Sequence, residues 1–117
     1  MSIGSVIDHI SGRDDVEEFT VLVREVQVYL KTNDESFAPK LRIKVWKGDL
    51  LPEPYTFTVS HYVHTPIQSS PYFVSKTAPT EIDAIREAID ASLMFISSAI
   101  SKGHEPDSDW MVVNEDY

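Results

Sequence analysis

The sequence has no cysteine, only four glycines and no long apolar run. The absence of cysteine excludes disulfides, thiolate nucleophiles and cysteine-ligated zinc within these 117 residues. The sequence also contains no Gly-rich phosphate loop, no His-Glu-x-x-His helix and no nucleophile elbow. No apolar segment approaches the roughly 18–20 residues that cross a bilayer. These absences favour a chain that binds rather than catalyses, without a cofactor, a metal or a membrane partner.

The charge is acidic overall and unevenly spread. The formal net charge is −9, from 19 acidic and 10 basic residues. Residues 81–117 hold nine of the acids and two of the bases, whereas residues 32–80 hold four acids and five bases. Because nucleic-acid binding needs lysine and arginine to displace counterions, this acidity argues against a nucleic-acid partner. Residues 1–15 lack a basic start and an apolar core of a signal peptide, so we expect a cytoplasmic protein.

A helix over residues 80–103 is the clearest element in the sequence. Thr80 is placed to cap its amino end, and Gly103 is placed to end it. Its apolar residues recur at spacings of three and four, which predicts a surface wide enough to cover one face of a sheet. They form two neighbouring stripes, one of Ile82, Ile85, Ile89, Leu93, Ile96 and Ile100 and a second of Ala84, Ala88, Ala91, Phe95 and Ala99.

Residues 16–31 (VEEFTVLVREVQVYLK) fit either a strand or a helix. Apolar residues recur at helical spacing from Val16 onward, but those from Val26 to Leu30 alternate as in a strand. The many β-branched residues and the absence of alanine favour the strand. The alternation changes phase just before Val26, which predicts a β-bulge near Arg24. The strand interpretation gives the order ββββα, and the helix interpretation gives αβββα.

Three further strands are predicted downstream. Residues 40–47 (KLRIKVWK) place Leu41, Ile43 and Val45 on one face and their basic residues with Trp46 on the other, and residues 55–64 (YTFTVSHYVH) alternate again. Residues 72–76 (YFVSK) form a short last strand before the helix. Together with residues 16–31 they predict an antiparallel meander of three or four strands, with the long C-terminal helix packed across one face.

The whole chain, residues 1–117, is therefore predicted to be a single α+β domain. Residues 1–15 form an N-terminal segment that could supply one helical turn packed on the core. Residues 104–117 form an acidic C-terminal tail. The tail contains the apolar run Trp110 to Val113, which could dock on the helix or extend a sheet edge.

The face of the sheet turned away from the helix is the candidate site. Basic and aromatic residues alternate on it, which suits an acidic protein partner or a second copy of the chain better than single-stranded nucleic acid. The alternative is a solvated face with ordinary cross-strand pairs, such as Glu25 with a base on the next strand. The predicted binding contacts are Tyr29, Lys40, Arg42, Lys44, Trp46, Tyr62 and His64.

Other functional signals in the sequence are weaker. His61 and His64 have a metal-like spacing, but residues i and i+3 of a strand point to opposite faces and cannot bind one ion. A pocket between helix and sheet around His61 would instead indicate a small-molecule-binding protein or a small enzyme. The acidic helix and tail would suit an inhibitor that mimics nucleic acid. The function predicted first is a non-enzymatic module that acts through protein contact or self-association.

Overall fold

The structure is a computed structural model that describes residues 3–72 and 76–117. It contains two α-helices and five strands, and the long second helix comes after four of the strands. The elements are α1 (Ile3–Ser11), β1 (Thr20–Tyr29), β2 (Lys40–Gly48), β3 (Tyr55–Val59), β4 (His61–Val63), α2 (Glu81–Ser101), a 3-10 turn (Ser108–Trp110) and β5 (Met111–Val113).

The strands form two antiparallel sheets. β1, β2 and β3 make a meander in that order, and β4 pairs with β5. The region 16–31 thus contains a strand, and its register against β2 shifts between Leu22 and Arg24, so the predicted bulge is confirmed. The predicted α+β class, an antiparallel meander with one long C-terminal helix, is also confirmed.

The predicted single strand over residues 55–64 is wrong, because the chain bends at Ser60. This residue is buried, its amide donates to the Arg42 carbonyl at 2.9 Å, and its Oγ accepts from the Arg42 amide at 2.9 Å. The chain then leaves the first sheet and continues as β4 beside β5. The break divides the predicted strand into β3 and β4.

The predicted strand at 72–76 falls largely on residues 73–75, which lie outside the described residues. Its first and last residues are described, and neither belongs to a strand. Just beyond it, Ala78 forms a bridge with Tyr55 at the start of β3, with N–O distances of 3.1 and 2.8 Å. The chain therefore runs beside this end of β3 before α2 begins.

α2 begins as predicted, and its smaller residues make the closest contact with the sheet. Thr80 Oγ1 accepts from the Asp83 amide at 3.1 Å, and Gly103 follows the helix with φ of 92°. The alanine stripe faces the sheet, since small side chains allow the helix to approach the strands closely. The isoleucine stripe lies along one flank of this contact, and its exposure ranges from the fully buried Ile96 to Ile82, which is 68% exposed. The buried residues of α2 are Ala84, Ala88, Ser92, Ile96 and Ala99.

The two ends of the chain differ in how they pack. α1 is longer than the single turn expected, and none of its residues is buried in the core. The tail, in contrast, is docked: Trp110 is 5% exposed, and its ring meets Phe37 edge-on with centroids 5.9 Å apart. The molecule measures 55 × 26 × 25 Å.

Candidate functional site

The residues of β2 alternate between the core and the opposite face. Leu41, Ile43 and Val45 are completely buried beneath α2, so the residues between them point away from the helix. We call that side the outer face. It consists of Glu25, Gln27 and Tyr29 of β1, Lys40, Arg42, Lys44 and Trp46 of β2, and Thr56 and Thr58 of β3.

Tyr117 lies across the middle of the outer face. Lys44 Nζ donates to its backbone oxygen at 2.7 Å and sits 4.1 Å from the centroid of its ring. The Arg42 guanidinium carbon is 5.5 Å from the same centroid. The Tyr117 hydroxyl donates to Glu25 Oε2 at 2.6 Å. Two cations, one carboxylate and one aromatic ring thus form a single cluster on a face that the sequence predicted to be open.

The groups of this cluster stabilise one another's charge states. Arg42 donates to Glu25 Oε1 at 3.3 Å, which is the cross-strand pair expected for Glu25. The hydrogen bond from Tyr117 lowers the pKa of Glu25, and the positive charges of Arg42 and Lys44 lower it further against the effect of burial. Burial is the main cause of the raised pKa of Tyr117, and the hydrogen bond to Glu25 adds to it. The phenol therefore stays a neutral donor beside an ionised carboxylate.

Asn114 anchors the tail so that Tyr117 reaches the outer face. Its Nδ2 donates to the Val59 carbonyl at 2.8 Å, and its amide donates to the Ser60 carbonyl at 2.9 Å. Its Oδ1 accepts from the Asp116 amide at 3.0 Å, which turns the chain. Because Ser60 is also bonded to the backbone of Arg42, the tail and β2 are held in a fixed relation.

Three other predicted contacts extend the outer face beyond Tyr117. Trp46 is half-buried, and its Nε1 donates to Thr58 Oγ1 at 3.2 Å. Tyr29 is 66% exposed and lies opposite Lys40 in the register. The structure therefore brings Arg42 and Lys44 together around Tyr117 and leaves Tyr29, Lys40 and Trp46 as neighbouring surface.

The structure places Tyr62 and His64 apart from this cluster. The bend at Ser60 directs the half-buried Tyr62 against the core, where it borders a cavity of about 280 Å³ with residues 56–59. His64 Nε2 lies 3.2 Å from the Gln68 carbonyl in the loop after β4. Neither residue contributes to the contacts of Tyr117.

Tyr117 and Asn114 are the site residues that the sequence did not indicate. Both lie in a short tail that has no periodic pattern from which a direction could be read. The signal for docking was the apolar run from Trp110 to Val113, but it does not reveal which surface receives the residues that follow.

The space between α2 and the strands near His61 is small. A cavity of about 10 Å³ lies there, bordered by His61, Ser92 and neighbours, which is about the volume of one water probe. Burial lowers the pKa of His61, and the charge of Lys40 lowers it further. Across residues 3–72 and 76–117, no cluster of three or more potential metal ligands occurs.

Neither helix in the described part of the chain combines the length and apolar character required to cross a membrane. Comparison of the chain with protein-family models, curated proteins and solved structures finds no match in any of the three.

Proposed function

We propose that the protein is a binding module whose outer face takes an acidic, tyrosine-bearing segment of a protein partner. The observation that carries this proposal is that Tyr117 binds in a site formed by Arg42, Lys44 and Glu25, which we call the Tyr117 seat. The chain's own end, Glu115-Asp116-Tyr117, has the chemistry of the proposed ligand. This segment acts as an intramolecular ligand, because it is covalently linked to the domain whose outer face it occupies.

Each contact of Tyr117 selects for a different part of that ligand. Cations over an aromatic ring contribute about 0.5–1 kcal/mol each at exposed sites. A phenol donating to a carboxylate is a charge-assisted hydrogen bond, which is stronger than a neutral one. Glu25 would repel an anionic group on the ring, so the site favours an unmodified tyrosine. The acidic residues before the ring complement Lys40, Arg42 and Lys44 on the same face.

The outer face is larger than the part that Tyr117 occupies. Tyr29, Lys40 and Trp46 lie on it beyond Glu25, Arg42 and Lys44, the residues that hold Tyr117. A partner segment longer than the tail would reach these residues and gain contacts that the tail lacks. Such a segment would displace Tyr117, whose local concentration otherwise makes it a strong competitor.

The test is a nuclear magnetic resonance titration with a peptide of residues 113–117 (VNEDY) as the probe. In a Tyr117→Ala variant the seat is vacant, so the peptide should shift the resonances of Glu25, Arg42 and Lys44. The wild-type chain should bind the peptide at least tenfold more weakly because its own tyrosine competes. Raising the salt concentration should weaken binding, since charged groups recognise the peptide.

Matched controls distinguish specific recognition of the peptide from non-specific binding. Adding Lys44→Ala to the Tyr117→Ala chain should abolish the shifts, whereas adding Lys102→Ala, an exposed cation beyond α2, should leave them unchanged. A VNEDA peptide should not bind. Equal binding of VNEDY and VNEDA would refute the proposal, and tighter binding of an oligothymidine strand at the same salt concentration would favour nucleic acid instead.

A further inference from the structure

β1 is a free edge of the first sheet. Within residues 3–72 and 76–117 it pairs with β2 alone, through nine of its ten residues. The opposite edge, at β3, is partly shielded by the bridge between Tyr55 and Ala78. A long strand with unpaired backbone groups is a template for pairing with another strand.

The helix side of β1 is incompletely covered. α2 packs on β3, β2 and β4, and the inward side chains of β2 are completely buried. The inward side chains of β1, among them Val23, Val26 and Val28, remain half-buried at the margin of the core. Arg24 points to the same side, opposite Val45, and pairs with Glu81 of α2 at 2.6 Å, so the border is apolar apart from this ion pair.

The isoleucine flank of α2 faces this border. Asn33, just beyond β1, donates to the Ser97 carbonyl at 3.3 Å and to Ser101 Oγ at 3.2 Å. On the opposite flank of the helix, Phe95 contacts Tyr72 with ring centroids 5.0 Å apart. Ile82, Ile85 and Ile89 lie between the centre of the buried face and Ser97 on the helical circumference, so they point toward β1.

Together these residues form a two-level apolar surface, which we call the edge strip. Its lower level belongs to β1 and its upper level to α2. Ile82 is 68% exposed, and the other members are half-buried. The edge strip consists of Val23, Val26 and Val28 with Ile82, Ile85 and Ile89.

We propose that two copies of the chain pair antiparallel along β1, so that the sheets join into one of six strands and the two edge strips cover each other. An occupant of this edge must supply an extended strand at the level of the sheet and apolar side chains at the level of the helix. An isolated peptide strand supplies only the first. The β1 and α2 edge of a second copy supplies both, and two-fold symmetry makes the surface self-complementary.

Side-chain direction fixes where the two-fold axis can pass. Residues opposite each other must point to the same face, and identical antiparallel strands meet this condition only when the axis passes through a residue. An axis at Gln27, within the regular part of β1 after the bulge, sets Val26 opposite Val28 of the second copy. It also sets Glu25 opposite Tyr29, so no like charges face each other.

The first test is the mass of the full chain in solution, measured by light scattering and sedimentation between about 1 μM and about 1 mM. A dimer of twice the 13.2 kDa chain mass is expected. Ile82→Lys should weaken the dimer at least tenfold, whereas Met94→Lys, an exposed substitution elsewhere on α2, should not. Because each copy carries a charge of −9, added salt should strengthen the dimer.

The second test is a disulfide cross-link, for which the cysteine-free chain is well suited. Gln27→Cys should form a covalent dimer on mild oxidation, because its side chains meet across the axis. Tyr29→Cys, on the same strand and face, should cross-link far more slowly, since the two copies of that position are about 13 Å apart along the strands. Circular dichroism confirms that each variant is folded.

Three outcomes would overturn the dimer. They are a monomer at every concentration, a dimer that is indifferent to Ile82→Lys and not cross-linked at position 27, and a dimer that dissociates on Tyr117→Ala. The last would indicate exchange of tails between copies. None of these results depends on peptide binding to the outer face, so this inference and the proposed function fail separately.

Discussion

The Tyr117 hydroxyl donates to Glu25 Oε2 across 2.6 Å, and the two groups shift each other's pKa in opposite directions. A hydrogen bond to the ionised form of a carboxyl lowers its pKa, and the same bond raises the pKa of the phenol that donates it. Arg42 and Lys44 act on Glu25 in the same sense as the hydrogen bond. At neutral pH the cluster therefore holds an ionised Glu25, a neutral Tyr117 hydroxyl and two cations, and every pair of these groups that is in contact attracts.

Tyr117→Phe removes the hydroxyl and keeps the ring. Because the Tyr117 hydrogen bond is the largest cause of the lowered pKa of Glu25, we expect that pKa to rise toward its ordinary value in the variant. The cations can still contact the ring, so the tail should remain docked. Carboxyl-carbon resonances followed through an acid titration measure the change.

Asp34 provides the internal control for this titration. Hydrogen bonds from Ser36 lower its pKa, and no contact joins it to Tyr117. Its titration should be the same in both chains. An unchanged titration of Glu25 would contradict the placement of the hydroxyl.

Arg42 and Lys44 could be predicted from the sequence, whereas their occupant could not. Strict alternation along β2 shows that their side chains share a face. No comparable rule locates Tyr117, because its position depends on Asn114 binding the carbonyls of Val59 and Ser60, far earlier in the chain. Contacts of that kind follow from the folded chain rather than from a local pattern.

In α2, the stripe of larger apolar residues is not the stripe that packs closest to the sheet. Isoleucine is more hydrophobic than alanine, so the isoleucine stripe was the more prominent in the sequence. In the structure Ala84, Ala88 and Ile96 are buried against the sheet, and the other residues of the isoleucine stripe lie along the flank, half-buried or exposed. Close approach of the helix to the strands requires small side chains at the contact.

Ala88→Leu should therefore destabilise the fold. Overpacking of a filled interface costs about 1–3 kcal/mol in the free energy of unfolding. Met94→Ala, at a position that is 54% exposed on the same helix, should change it by less than about 0.5 kcal/mol. Urea unfolding followed by circular dichroism measures both. If Ala88→Leu were neutral, the alanine stripe could not be the contact surface.

The elements that could be predicted are those with local patterns. Alternation and β-branched composition predicted β1 and its bulge, and the cap at Thr80 followed from residue type and position. The bend at Ser60 has no such signal, since alternation continues through it. It is stabilised by Arg42 on β2 and by Asn114 in the tail, both distant in sequence.

At the scale of the whole molecule, the tail joins the two sheets. Trp110 is buried beside Phe37, β5 pairs with β4, and Tyr117 ends on the outer face of the first sheet. The surface proposed to bind a partner is thus also a surface that stabilises the fold. The occupancy of this surface by the tail should depend on pH, because Glu25 and Tyr117 shift each other's pKa.

We expect the stability that the hydroxyl of Tyr117 contributes to be greatest between about pH 4.5 and pH 10, the ordinary pKa values of the two groups. The lowered pKa of Glu25 means that its contribution is present above 4.5 and is lost as the pH falls through the lowered value. The raised pKa of Tyr117 means that its contribution is present below 10 and is lost as the pH rises toward the raised value.

The measurement is the difference in melting temperature between the wild-type chain and Tyr117→Phe, followed from below pH 4.5 to above pH 10. Contributions of the groups common to both chains cancel in this difference. The difference should form a plateau that falls on the acid side because of Glu25 and on the alkaline side because of Tyr117. Repeating the comparison in a Glu25→Gln background should remove the acid limb and keep the alkaline one, because the amide still accepts the hydrogen bond but does not ionise. A difference that stays constant through both limbs would show that the hydroxyl and the carboxylate are not in contact.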